Sequence, residues 1–320
     1  MKPSRITTKL VLVPASSKSK DTRKEAKRDR ALRFVRTALV YLFLSLAALL
    51  CIFPFYYMIA ASTMSHEQVT NGQIWLSFAT LGENFVNNYT QTVNRLQFFS
   101  HVGTTLLVAI TTTVLQLLTT ILASFAFAKL HFKGREVLFI ILLSAMMVPG
   151  EMLAITNYST FSNLGLISSK QTYFQAVVTM VLPLISSIFF IFLLRQNFKQ
   201  IPNELYLAAK VDGKSDWQYL WKVMVPVAMP TLIAITILSF ISSWNSYVWP
   251  SLSVYNDSYN VISVIIRGNA LVFQGPSGAE ITNTAWQMTA AVLTVLPLLI
   301  LFIIFRKYIM SGTGRAGIKG

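Results

Sequence analysis

The residues with the most to say lie between Ile201 and Pro226. Pro202 and Asn203 start a helix, Glu204 places negative charge at its N-terminus, and Gly213 supplies the stop. The result is a helix of about three turns in a polar loop. Ala208 and Ala209 keep its surface low, so another protein can approach without ordering large side chains. A short rigid helix is able to transmit a displacement as a lever. A second group surrounds Pro149-Gly150-Glu151, followed by Asn157 and Tyr158, and a third is Trp244, Asn245, Tyr247 and Trp249. Aromatic faces beside amides suit a polyhydroxylated ring. The same aromatics also suit a headgroup-level belt.

Catalytic constellations find no support. His66, His101 and His131 form no pair at helical spacing, so no metal site is expected, and Cys51 is the single cysteine. Glu151 is the one carboxylate near an apolar run and has no partner carboxylate or base. No stretch fits G-x-x-x-x-G-K-[ST]; the glycines at Gly268 and at Gly275 to Gly278 lack both the spacing and the lysine.

The elements that position these groups follow from composition. Hydrophobic residues make up 54% of the 320-residue chain and charged residues 12%, about half the charge that covers a soluble domain. That excludes a soluble enzyme, a disordered tail protein and a coiled coil. Spans are expected at about residues 37–62, 102–128, 137–157, 172–194, 224–250 and 284–305, each near the length that crosses a bilayer. The third is the least regular. Its uncharged run ends at Gly150, only about 21 Å along a helix, so a full span continues through Glu151. The Pro149-Gly150 pair then breaks the helix inside the membrane or at its rim; the alternative is a helix that ends there.

Lys and Arg distribute unequally about this six-span arrangement, with 24 of the 27 on the side that holds both termini. Cytoplasmic segments carry such an excess, so both termini are expected to be cytoplasmic. The net charge of +15 is then an orientation signal lying on anionic lipid rather than a nucleic-acid surface. Residues 1–33 form a basic extension, 34–310 the spanning domain and 311–320 a short tail. The expected fold is an all-α integral membrane protein of six transmembrane helices, with the short helix in the loop between spans four and five.

Leu207-Ala208-Ala209-x-x-Asp212-Gly213, then nine residues, then Val223-x-Val225-Pro226 resembles the EAA loop of ABC importer membrane subunits, of form E-A-A-x-x-x-G-x9-I-x-L-P. Leu207 stands where that motif usually has Glu, with Glu204 one turn earlier. Ala126 to Arg135, Met147 to Glu151, Trp244 to Pro250 and Phe305 to Gly320 also resemble segments of the carbohydrate, MalG-like and binding-protein-dependent, branch. The resemblance covers roughly residues 34–320. It implies a bacterial inner-membrane location and a second, homologous (MalF-like) permease subunit. It also implies a cytoplasmic ATPase dimer that supplies ATP and Mg chemistry, and an extracytoplasmic solute-binding protein. No cofactor is implied on this chain itself. By the same resemblance, Glu204, Leu207, Ala208, Ala209, Asp212, Gly213 and Pro226 couple to the ATPase, and Gly317, Lys319 and Gly320 reach it from the tail. Glu151, Asn157, Tyr158, Trp244, Asn245 and Tyr247 are the candidates for the solute pathway.

Two other classes compete with a carbohydrate importer subunit. One is the same machinery carrying glycerol phosphate or an acidic oligosaccharide, which would favour cations inside the spans. The other is a channel or membrane-embedded enzyme, which would need a filter sequence or a paired catalytic set.

Overall fold

The helix Phe98–Ala128 reverses the usual arrangement of a soluble amphipathic helix. Thr104, Thr105, Thr112, Thr113, Gln116, Thr120 and Ser124 are buried, whereas Leu106, Leu107, Ile110, Val114, Leu115, Leu118 and Leu122 are exposed. Small hydroxylated residues inside and large apolar residues outside is the packing of a helix whose solvent is lipid.

The computed structural model describes residues 18–76, 78, 80–268, 271–274 and 279–313, with the backbone alone at 18–31, 151 and 307–313. The chain divides into two units, residues 1–57 and 58–320. The first unit consists, as far as it is described, of most of helix α1 (Lys18–Ala61). In the second unit α2 (His66–Thr70), α3 (Leu81–Arg95), α4 (Phe98–Ala128), α5 (Arg135–Ala145) and α6 (Leu153–Asn163) come first. Next are α7 (Tyr173–Val181), α8 (Ile188–Gln200), α9 (Asn203–Val211), α10 (Asp216–Tyr219) and α11 (Val225–Val227). Last are α12 (Met229–Trp244), α13 (Val248–Ser253), α14 (Ile262–Ile265) and α15 (Thr284–Thr313). A small antiparallel hairpin, β1 (Val272–Gln274) and β2 (Glu280–Thr282), pairs Phe273 with Ile281.

Three helical stretches, Leu32–Ala61, Phe98–Ala128 and Thr284–Arg306, are long and apolar enough to cross a membrane. Two further crossings are possible if each bent pair counts as one: Tyr173–Leu184 with Ile188–Gln200, bent by 50°, and Asp216–Val227 with Met229–Trp244, bent by 80°. Prolines account for both bends. Pro183 sits in the 3-10 turn Leu182–Leu184, and Pro226 and Pro230 lie four residues apart across Ala228, each removing an N–H from the ladder. The expected third span, 137–157, is not continuous. It is α5, which already ends at Ala145, then a 3-10 turn at Gly150–Met152, then α6, so the helix stops four residues before the expected break at Pro149-Gly150.

A bend in an apolar setting frees carbonyls that need partners. The carbonyls of Leu184 and Ile185 find them on α4: Gln116 Nε2 donates to Leu184 O at 2.8 Å and Thr119 Oγ1 to Ile185 O at 2.6 Å. Ser239 of α12 donates to Gln116 Oε1 at 2.5 Å, and Ser124 donates to Ile191 O of α8 at 3.0 Å. One polar face of α4 thus holds α8, α12 and the first bend. At one end of α4 an apolar cluster of Ile121, Phe125, Leu194, Phe198, Tyr219 and Met224 joins α4, α8 and the α10–α12 segment. At the other, Leu96, Phe98, Ile262, Leu271 and Trp286 form a separate cluster.

Gln116→Leu would leave the Leu184 carbonyl without its partner and the Ser239 hydroxyl with only its longer contact to Thr113. It should lower stability by about 1 kcal/mol, within the range for lost hydrogen bonds in membrane and soluble interiors. Thermal denaturation of the purified protein in detergent checks this.

Candidate functional site

The segment from Ile201 to Pro226 folds as a closed unit at the end of α4. Helix α9 begins after Pro202, whose side chain offers no cap hydrogen bond. It ends in a Schellman motif: Gly213 N–H donates to Lys210 O at 3.0 Å and Lys214 N–H to Ala209 O at 2.9 Å. Gly213 is at φ +73, in the left-handed region where a Cβ adds roughly 1–2 kcal/mol. Two residues later Ser215 caps α10 through a capping box with Gln218. Stop and start are therefore back to back, and no slack remains between α9 and α10.

Side chains tie the two helices further. Tyr206 Oη donates to Asp216 Oδ1 at 2.8 Å, Lys210 Nζ lies 2.9 Å from the same oxygen, and Tyr206 and Tyr219 meet edge to face. The hydrogen bond to Asp216 holds the Lys210 ammonium above the ordinary lysine range. The shift is upward, so its contribution is complete below the ordinary lysine value and is lost only as pH rises through the raised one. The tie is intact at neutral pH.

The predicted coupling residues do not all face the same way. Ala209 is buried in the cluster with Ile201, Phe198 and Tyr219, so it anchors α9 rather than lowering its outer surface. Glu204, Leu207, Ala208 and Val211, the i, i+3, i+4 and i+7 positions of a helix, make one exposed face. Leu207 is 62% and Val211 89% exposed. Asp212 and Gly213 are exposed at the end of α9, and Pro226 is exposed at the second bend. A short helix with an apolar, uncovered outer face and a fixed inner face is a surface suited to contact with another protein.

Two basic residues that in the sequence are simply part of the 24 on the expected cytoplasmic side prove to be buried. Lys129, just past α4, is 5% exposed; its Nζ donates to Ile201 O at 2.9 Å and Asn203 Oδ1 at 2.8 Å. Burial pushes its ammonium below the ordinary range, against the pull of Glu204. Arg195, near the end of α8, donates from Nε to Phe127 O at 3.1 Å and pairs with Glu136 Oε2 at 2.7 Å. It also lies 3.8 Å from the Phe139 ring centroid. Burial alone would raise the Glu136 carboxyl, but the hydrogen bond from Arg195 and the charges of Arg195 and Lys199 hold it below the usual range. The signal in the sequence was position: both basic residues lie at the junction of an apolar run and a polar loop, where a long stem can turn inward.

The solute-pathway candidates are dispersed. Trp244 is fully buried at the end of α12, and the Asn245 side chain donates to Ile241 O at 3.0 Å while remaining exposed. Tyr247 is half-buried beneath Arg267, 4.2 Å from its ring centroid. On α6, Asn157 is half-buried and Tyr158 exposed. Trp249 is buried against Phe161, its indole N–H donating to Thr179 O at 2.9 Å, so it serves packing rather than a headgroup belt. The side chain of Glu151 and the tail residues Gly317, Lys319 and Gly320 lie outside the described residues, as do residues 1–17 of the basic extension.

Comparison with known proteins bears on what this surface meets. Residues 119–314 match the family model described as binding-protein-dependent transport system inner membrane component. The lactose transport system permease protein LacG of Rhizobium radiobacter is 30% identical over 272 residues, 85% of this chain and 93% of that protein. The arabinooligosaccharides transport system permease protein AraQ of Halalkalibacterium halodurans is 29% identical over 282 residues, covering 85% and 93%. In three dimensions, a chain of a bacterial ABC transporter involved in the import of the acidic polysaccharide alginate superposes with a TM-score of 0.70. It is 24% identical, with 88% of this chain and 97% of that one covered, a likeness of fold.

Tyr206→Phe should preserve the fold but remove the phenol's bond to Asp216, leaving the carboxylate to Lys210 alone. Loss of one hydrogen bond of about 1 kcal/mol should speed amide exchange across residues 206–216 by about fivefold, as read by hydrogen–deuterium exchange mass spectrometry.

Proposed function

The chain belongs to the family of binding-protein-dependent transport system inner membrane components, and on that premise we propose that it forms half of the translocation pathway for a carbohydrate, an oligosaccharide, with α9 as its coupling helix. It is the membrane subunit of an ABC importer, a machine that in general comprises paired permease subunits, an ATPase and a binding protein. It is a transport subunit rather than an enzyme. The lactose and arabinooligosaccharide names of its relatives support the choice of solute.

In this reading the chain crosses the membrane six times, through the apolar part of α1, α4, the α5–α6 pair, the bent pair α7–α8, the α10–α12 segment and α15. Both termini and α9 are cytoplasmic, supported by the 24 of 27 basic residues on that side. The ATPase dimer contributes ATP and Mg chemistry, a MalF-like subunit completes the pathway, and an extracytoplasmic binding protein delivers the solute.

The observation that carries the reading is the asymmetry of α9. Its outer face, Glu204, Leu207, Ala208 and Val211, is uncovered, while its inner face and both ends are fixed to helices of the spanning region. Pushed from outside, such a helix moves what it is seated on. Closure of the ATP-bound dimer against α9 would therefore change the tilt of α4, α8 and α12, which the two proline bends allow.

Gly213→Ala strains the left-handed stop, and Asp212→Lys reverses the charge beside it. In the complex reconstituted with its neighbouring subunits, each should abolish both uptake and ATPase stimulation by a panel of binding protein and oligosaccharides. Unchanged stimulation in both variants contradicts the coupling role.

A further inference from the structure

Lys129 occupies a position that electrostatics alone disfavours. A cation is unwelcome at a helix N-terminus, and burying it costs free energy, yet its Nζ sits at the start of α9, bonded on one side to Ile201 O and on the other to Asn203 Oδ1. A lysine needed only for membrane orientation would stay in water, as Lys133 does four residues later. The two acceptors flank Pro202, which has no N–H to donate and supplies no side-chain cap. The start of α9 is thus fastened to the end of α4 instead of to its own cap.

The remaining geometry gives that fastening a direction. At its far end α9 is tied to α10 through Tyr206, Lys210 and Asp216. At its near end the chain runs from α8 through Ile201 and Pro202, a short linker that could flex under load. Lys129 bridges that linker to α4. Three to four turns further along α4, Gln116 and Thr119 hold the carbonyls of the first bend.

We infer that Lys129 is a positioning residue for transport: it clamps the N-terminus of α9 to α4, so that displacement of α9 reaches α4 and the bend at Leu184 instead of being absorbed at Pro202. The inference rests on α9 being the coupling helix, and its test separates the two.

The complex with its partner subunits, in lipid nanodiscs and with Cys51→Ser, is spin-labelled at Phe99→Cys on α4 and Leu164→Cys beyond α6, both exposed. ATP hydrolysis and the label-to-label distance are measured with and without Mg-ATP and vanadate. In the otherwise unaltered chain, trapping should shift the distance distribution. Lys129→Met should assemble and hydrolyse ATP within about twofold of normal while the shift is lost. Asn203→Ala, which removes one of the two acceptors, should reduce it partly. The double variant should lose no more than Lys129→Met alone, as residues of one interaction do. A full shift in Lys129→Met overturns the inference. Should that variant fail to assemble, Asn203→Ala decides: a reduced shift supports the clamp and an undiminished one overturns it. Val211→Arg, confined to the outer face of α9, reports on the coupling reading itself. A normal shift in Val211→Arg refutes that reading, whereas its loss there with retention in Lys129→Met refutes the clamp alone.

Discussion

A backbone surrounded by hydrocarbon must satisfy its own hydrogen-bonding groups, and this chain does so at its first bend through one face of one helix. Two of its helix pairs are bent at prolines, and at the first bend the freed carbonyls of Leu184 and Ile185 are claimed by Gln116 and Thr119 of α4. The same face carries the contacts to α8 and α12 through Ser124 and Ser239. Without that row of hydroxyls and one amide, the 50° bend would expose unpaired carbonyls to an apolar interior. The bend persists because α4 is polar on the inside.

A helix used in this way is also well placed to transmit motion. Its end is shared with α8, α9 and the α10–α12 segment in one apolar cluster, and its polar face grips the bend. Buried cations at the same end, Lys129 and Arg195, find oxygen partners on neighbouring segments. Desolvating them is unfavourable unless those bonds form, so the segments are held in one arrangement. The outer face of α9 is the contrary case, with Leu207 and Val211 left uncovered among the described residues. Rigidity inward and an uncovered apolar face outward are the two halves of a mechanical contact.

Much of this was legible in the sequence because its causes are local. The stop at Gly213 follows from a glycine at the end of a helical run, and the structure has it at φ +73 within a Schellman motif. An interruption near Pro149-Gly150 follows from proline and glycine, and α5 and α6 are separate helices, although α5 stops earlier, at Ala145. What could not be read was long-range. Ala209 looks like Ala208 in sequence, and only packing against Phe198 and Tyr219 turns it inward. Lys129 counts as one more loop charge until Ile201 and Asn203, more than seventy residues later, supply its acceptors. Trp249 has the residue type and position of an interfacial anchor, yet its N–H is taken by Thr179 on α7. In each case a partner distant along the chain decided the role.

The central claim, that the outer face of α9 meets the ATPase and moves with it, is tested most directly by chemical cross-linking in native membranes. Leu207→Cys, in a chain whose only other cysteine is replaced by Cys51→Ser, would be treated with a short bifunctional reagent, with and without ATP and vanadate. The account predicts capture of the ATPase subunit in a yield that changes with nucleotide. Free reaction of this cysteine with a water-soluble thiol reagent in the assembled complex, with no ATPase captured in either state, would contradict it.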